Sequence, residues 1–185
     1  GTYYLRFFPK IRKNIFSYIA NIIDNLNISI VDARIITLKN NQALDTYLLL
    51  DKNGKFIKDK HTLSFLSQKI TGAIDNPNYK INKITKKQTE NIASFKNFIN
   101  LEITRKEKKE LLIEISTLDH PGLLSKICES LDSCDLMVKD AKISTLGEEA
   151  NDIFSVITTN KEMCLENYIE KTKINIKQKI SELYN

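Results

Sequence analysis

The chain has 185 residues, with 28 Lys plus Arg against 23 Asp plus Glu, for a formal charge of +5. That length supports one domain or two small ones with a real core and no metal or disulfide staples. The charge is mild and lacks the concentrated basic face of nucleic-acid binders. No apolar stretch approaches the roughly 20 residues that span a bilayer, and no basic, apolar leader opens the chain. Strand-like residues follow Gly1 at once, which reads as a piece excised from a longer protein. Cys128, Cys134 and Cys164 form no CxxC pair and read as reduced thiols of a cytoplasmic protein. His61 and His120 lie 59 residues apart, which argues against a histidine metal centre. There is no GxxxxGK[ST], no GxGxxG and no Gly-x-Ser-x-Gly elbow, so no catalysis is expected of this chain.

A β-prone run at Tyr3–Phe8 comes first. Ile15, Ile19, Ile22, Ile23 and Leu26 then fall on one helical face. Two strands follow, Ile28–Leu38 and Ala43–Leu50, joined by a polar turn at Lys39–Gln42. A second helix over residues 60–74 carries Leu63, Leu66, Ile70 and Ile74. Tyr79–Ile84 alternates and is a candidate closing strand. The breaker Asn76-Pro77-Asn78 and the polar stretch 85–97 mark a boundary near residue 95. Phe98–Thr104 is expected to fold back on Leu111–Ser116 through the polar turn Arg105–Lys109. A helix with Leu123, Leu124, Ile127, Cys128 and Leu131 on one face comes next. The strands Leu136–Leu146 and Asp152–Thr158 follow, and a last helix spans 162–183.

The order repeats, and so do the residues. Asp32-Ala33-Arg34-Ile35-Ile36-Thr37-Leu38 and Asp140-Ala141-Lys142-Ile143-Ser144-Thr145-Leu146 share five of seven positions at an offset of 108 residues. Ala43-Leu44-Asp45-Thr46-Tyr47 then matches Ala150-Asn151-Asp152-Ile153-Phe154 at an offset of 107. The expected fold is α+β: two ferredoxin-like βαββαβ units, residues 1–95 and 96–185, each an antiparallel sheet with helices on one face.

One segment is chemically distinctive: Thr117-Leu118-Asp119-His120-Pro121-Gly122-Leu123-Leu124, between a strand and a helix. Pro121 fits a helix start, where its missing amide costs little. The amides of Gly122, Leu123 and Leu124 are expected to point outward and attract a carboxylate or phosphate. Asp119 beside them suits an ammonium group, and the two sites together match a free amino acid. On residue chemistry alone, the same segment also reads as an ordinary cap and turn.

The Leu-Asp-x-Pro-Gly-Leu loop in a βαββαβ frame resembles the ACT domains, small regulatory modules that bind amino acids at the interface of paired domains. Two copies with the DA[RK]I-x-TL and A-x-D-[TI]-[YF] strands resemble, more narrowly, the C-terminal tandem ACT region of bifunctional uridylyltransferase/uridylyl-removing enzymes. Arg12-Lys13-Asn14-Ile15-Phe16 and the turn Asp51–Gly54 add to that resemblance. It implies a fragment of an enzyme whose nucleotidyltransferase and hydrolase domains, with their Mg2+, lie elsewhere in the chain. It implies L-glutamine as effector, the PII nitrogen-signalling protein as the partner of the full enzyme, and a homodimer as one possible assembly. The matching ligand positions are Asp119, Pro121, Gly122, Leu123 and Leu124. To these it adds Leu136, Met137 and Val138 on the early second strand, with Ile28, Ser29 and Ile30 expected opposite them in the first copy. The first copy's loop, Phe8–Asn14, has no acid and no Pro-Gly pair, so Asn14 and Ile15 are its candidates. Other readings are a tandem ACT scaffold for dimerisation, or a sensor of another amino acid in a different host. RNA binding needs an aromatic strand run that Tyr47 and Phe154 do not form.

Overall fold

The computed structural model describes residues 4–7, 15–38, 42–76, 98–107, 109–158 and 166–184. The first half contributes β1 (Tyr4–Phe7), α1 (Ile15–Asn25), β2 (Ser29–Thr37), β3 (Ala43–Leu50) and α2 (Lys60–Asp75). The second contributes β4 (Asn100–Glu107), β5 (Glu110–Leu118), α3 (Leu123–Ser133), β6 (Met137–Leu146), β7 (Glu149–Ile157) and α4 (Glu166–Ser181). A 3-10 turn at Glu182–Tyr184 follows α4. The order expected from the repeat is present in both halves. The candidate strand Tyr79–Ile84 and the boundary near residue 95 fall outside the described residues.

The strands form one antiparallel sheet in the order β1-β3-β2-β6-β7-β5-β4. Each half keeps its own ferredoxin-like strand neighbours, and the halves join edge to edge through β2 and β6. The fold-back hairpin is there: Leu101 pairs with Ile115 and Ile103 with Ile113, which puts β4 at the outer edge beside β5, but the strand runs through most of the expected turn, with Arg105 paired to Leu111 and Glu107 to Glu110. Its partner strand alternates cleanly. Leu111, Ile113 and Ile115 are at most 2% exposed, while Glu114 is exposed.

The seam carries a pseudo-two-fold axis. Asp32, Ala33, Arg34 and Ile35 pair with Ser144, Ile143, Lys142 and Ala141. Arg34 and Lys142 are equivalent under the 108-residue offset, and they face each other. The axis therefore passes between them. Two cations directly opposite repel. The register places Asp140 diagonal to Arg34 and Asp32 diagonal to Lys142, so each copy's aspartate stands one step from the other copy's cation. This accounts physically for the repeated Asp-Ala-[Arg/Lys]. It also corrects one expectation: Ile28–Ile30 do not lie opposite Leu136–Val138, because the seam is antiparallel and centred further along both strands.

The helices cover one face in the order α2-α1-α3-α4. The two central helices are buried on both flanks as well as underneath. This is why Ser17, Asn21 and Asp24 of α1, and Ser125 and Ser130 of α3, are buried along with the aliphatic stripe. The outer helices bury narrower stripes, Leu66, Ile70 and Ala73 in α2 and Thr172, Ile176 and Ile180 in α4. The Phe16 ring crosses the axis. It lies 6.5 Å from Tyr47 of its own half and 6.3 Å from Phe154 of the other.

A candidate effector site at the seam

The loop after β5 is held at both sides. The Asp119 amide donates to the Glu148 carbonyl at 2.8 Å, and the Leu123 amide donates to the His120 carbonyl at 2.9 Å. Tyr184 Oη donates to the Leu118 carbonyl at 2.7 Å and lies 3.1 Å from Thr117 Oγ1. The Tyr184 ring stands edge-on to His120 at 5.7 Å. The C-terminal turn thus braces the loop.

Helix α3 begins at Leu123, so Pro121 lies in the preceding turn rather than opening the helix. Gly122 is the N-cap at φ 88°, a left-handed conformation that glycine adopts without strain, and no side chain caps the helix. The expectation of three open amides is corrected for Leu123, whose N–H is spent on His120. Asp119 and Pro121 are exposed, whereas Gly122, Leu123 and Leu124 are buried. The two leucine side chains belong to the core, so only their backbone is available to a ligand.

The central helices are tied to each other across the axis by side-chain hydrogen bonds. Ser125 Oγ donates to Asp24 Oδ2, and Ser17 Oγ donates to Asp132 Oδ2. Ser17 and Ser125 are equivalent positions, and so are Asp24 and Asp132, so the pair is reciprocal. Each carboxylate sits in the first turn of the opposite helix, where it complements the helix dipole. The α3 opening already holds an internal anion. Asp24 and Asp119 thus bring two acidic side chains to this end of the seam.

The other candidates fall into two places. The antiparallel seam carries the start of β2, with exposed Ser29, toward the β6–β7 turn that holds Asp119. It carries half-buried Met137 and Val138, at the start of β6, toward the end of β2 and the N-terminal end of α1, where Ile15 is buried. Ser29 therefore goes with Asp119–Leu124, while Met137 and Val138 go with Ile15. Asn14 lies outside the described residues.

Sequence reasoning passed over Asp45 and Asp152, which the repeat had already aligned. Asp45 is 1% exposed and Asp152 3%. Both occupy core-facing positions two residues before a fully buried aromatic, Tyr47 or Phe154. Burial pushes each carboxyl up to about 7. Tyr47 Oη donates to Asp45 at 3.3 Å, and the Ser144 amide to Asp152 at 3.4 Å; both lower the shift. The nearby Asp119 raises Asp152 further. The other oxygen of Asp45 has no hydrogen-bond partner among the described residues. The available signal was an acid repeated at a strand position that the flanking alternation makes inward-facing.

No helix among the described residues is long and apolar enough to cross a membrane. No family model matches the chain. It is 31% identical over 173 residues to the bifunctional uridylyltransferase/uridylyl-removing enzyme of Psychrobacter arcticus, covering 91% of this chain and 18% of that protein. The enzyme of the same description from Psychrobacter sp. is 28% identical over 164 residues, or 88% of this chain. That from Acinetobacter baumannii is 31% identical over 144 residues, or 77% of this chain and 16% of the relative. The chain therefore spans less than a fifth of these relatives. Aspartate kinase from Synechocystis superposes with a TM-score of 0.49 at 13% identity, covering 94% of this chain and 25% of that one.

Proposed function

We propose that this relative of the bifunctional uridylyltransferase/uridylyl-removing enzymes is their regulatory module, a tandem ACT pair formed by residues 1–95 and 96–185, and that its effector is L-glutamine. The observation that supports this best is the seam. One antiparallel pairing places the opening of each central helix beside the strand of the other copy, so an amino acid bound there touches both. At the α3 end, Asp119 takes the ammonium, the Gly122 and Leu124 amides take the carboxylate, and Ser29 supplies the far wall. The α1 end, with Asn14, Ile15, Met137 and Val138, lacks the acid and forms a weaker or silent second site.

A ligand that binds one arrangement of the two copies better than another shifts their population. Couplings of this kind are typically about 1–3 kcal/mol. In the full enzyme, that shift favours removal of the uridylyl group from PII over its addition. The module itself performs no chemistry and works in the cytoplasm.

Calorimetric titration with L-glutamine tests the reading, with glutamate, serine, isoleucine and UTP as controls. Selective glutamine binding is expected, at one site per chain if the first copy is silent and at two if it is not. Asp119→Asn should weaken glutamine at least about tenfold while the melting temperature holds, because the side chain is exposed. A folded protein that ignores every amino acid would sink the effector reading and leave a scaffold. Undiminished binding by Asp119→Asn would move the site away from this loop.

A further inference from the structure

A cavity of about 290 Å³ opens at the C-terminal end of α1, on the flank that faces the first turn of α2. Leu26, Ile28, Ile57, Phe65 and Leu66 make its walls, with Thr62 on the α2 side. Roughly 150 Å³ is enough for a benzene-sized guest in an apolar cavity. Phe65 is 48% exposed, which leaves an aromatic edge open at the mouth.

The second copy shows what this place accommodates. Leu26, Asn27 and Ile28 correspond to Cys134, Asp135 and Leu136 under the 108-residue offset. Asn27 and Asp135 share a positive φ, 56° and 55°. There the space is filled by Tyr168, a half-buried residue of α4, whose Oη donates to the Cys134 carbonyl at 2.7 Å. Thr158 is also within the reach of Tyr168, and it stands where the 107-residue offset places Asp51, a cavity residue of the first copy. The corresponding carbonyl in the first copy, that of Leu26, accepts no hydrogen bond among the described residues. Aligning the buried pairs Leu66/Ile70 and Thr172/Ile176 puts Thr62 where the second copy has Tyr168. The first copy thus keeps the acceptor and the apolar walls but has a short side chain in place of the phenol.

We propose that this cavity is a second ligand site, taking a small aromatic molecule that carries a hydroxyl donor. The ring packs on Leu26, Ile57 and Leu66, and the hydroxyl reaches the Leu26 carbonyl. The bound molecule ties α1 to α2 as Tyr168 ties α3 to α4. The cavity lies on the α2 flank of α1 and the effector loop on its α3 flank, and none of the cavity residues belongs to the proposed effector site, so the two sites use different residues and this one does not rest on the glutamine reading.

Ligand-observed NMR titration of the chain with p-cresol tests this, with toluene as the comparison. Saturable p-cresol binding is expected, about fivefold tighter than toluene for the one added hydrogen bond. Thr62→Tyr should abolish it by supplying the missing ring. Tyr168→Ala should raise the stoichiometry from one to two by opening the equivalent space. Absence of saturable binding, equal affinity for toluene, or p-cresol binding undiminished in Thr62→Tyr would each overturn the site. If Thr62→Tyr does not fold, Tyr168→Ala decides, and failure to gain a second site overturns it. These outcomes hold whether or not glutamine binds.

Discussion

Phe16→Ala is expected to cost about 3–5 kcal/mol and to destabilise both halves of the chain together. Large-to-small changes at a buried phenylalanine lose the transfer free energy of the ring and leave a cavity the surroundings fill only in part. Phe16 is 6% exposed, and its ring lies between Tyr47 of the first half and Phe154 of the second, both fully buried. The cavity would open beneath the axis, where the two halves share one core. Urea unfolding followed by circular dichroism measures the cost. A single transition shifted to lower urea is expected. A loss below about 1 kcal/mol, or a split into two transitions with one unmoved, would show that the halves do not depend on this ring. The proposed effector site depends on the same packing, because Phe16 links α1 to β7 across the axis.

The largest pH effect should come from the two buried acids. An aspartate in the unfolded chain titrates near 3.9, whereas burial raises Asp45 and Asp152 to about 7. Between those values the native state keeps protons that the unfolded state has released. Stability therefore falls as pH rises from about 4 to about 7, and the full cost persists above that. Three pH units correspond to at most about 4 kcal/mol per site. Asp45→Asn and Asp152→Asn remove the ionisable group while keeping the shape. Each should match the parent near pH 4 and exceed it by up to a few kcal/mol at pH 8. Comparing each variant with the parent cancels opposing groups such as Asp51 and Asp59, whose carboxyls accept backbone amides and are lowered. The experiment is urea unfolding from pH 4 to pH 8. A parent–variant difference that stays constant across that range would mean the acids are ionised and paired in the native state. Removing the Asp119 charge should reduce the part of this pH-dependent loss that Asp152 contributes, because that charge adds to the burial cost.

Much of the architecture was legible from periodicity. Alternation at Leu111, Ile113 and Ile115 and the aliphatic stripes of the four helices are local patterns, and local patterns survive in a linear reading. The duplicated strands made the two halves visible, and the Asp-His-Pro-Gly turn marked the loop before α3. The seam was not legible, because antiparallel pairing between copies is a non-local choice. Only the tertiary structure shows that Arg34 meets Lys142, that Asp24 bonds Ser125 of the other half, and that Met137 and Val138 lie at the opposite end from Asp119. Burial of Ser17, Asp24, Asp45 and Asp152 was likewise decided by the packing, since a polar residue on an inward position reads in sequence like one in solvent. The sequence alone determined that this chain is built twice from the same unit and where each copy's helix opens. The tertiary structure decided which openings and strands share a site, because a continuous sheet gives each edge strand one neighbour and thereby places every residue along it.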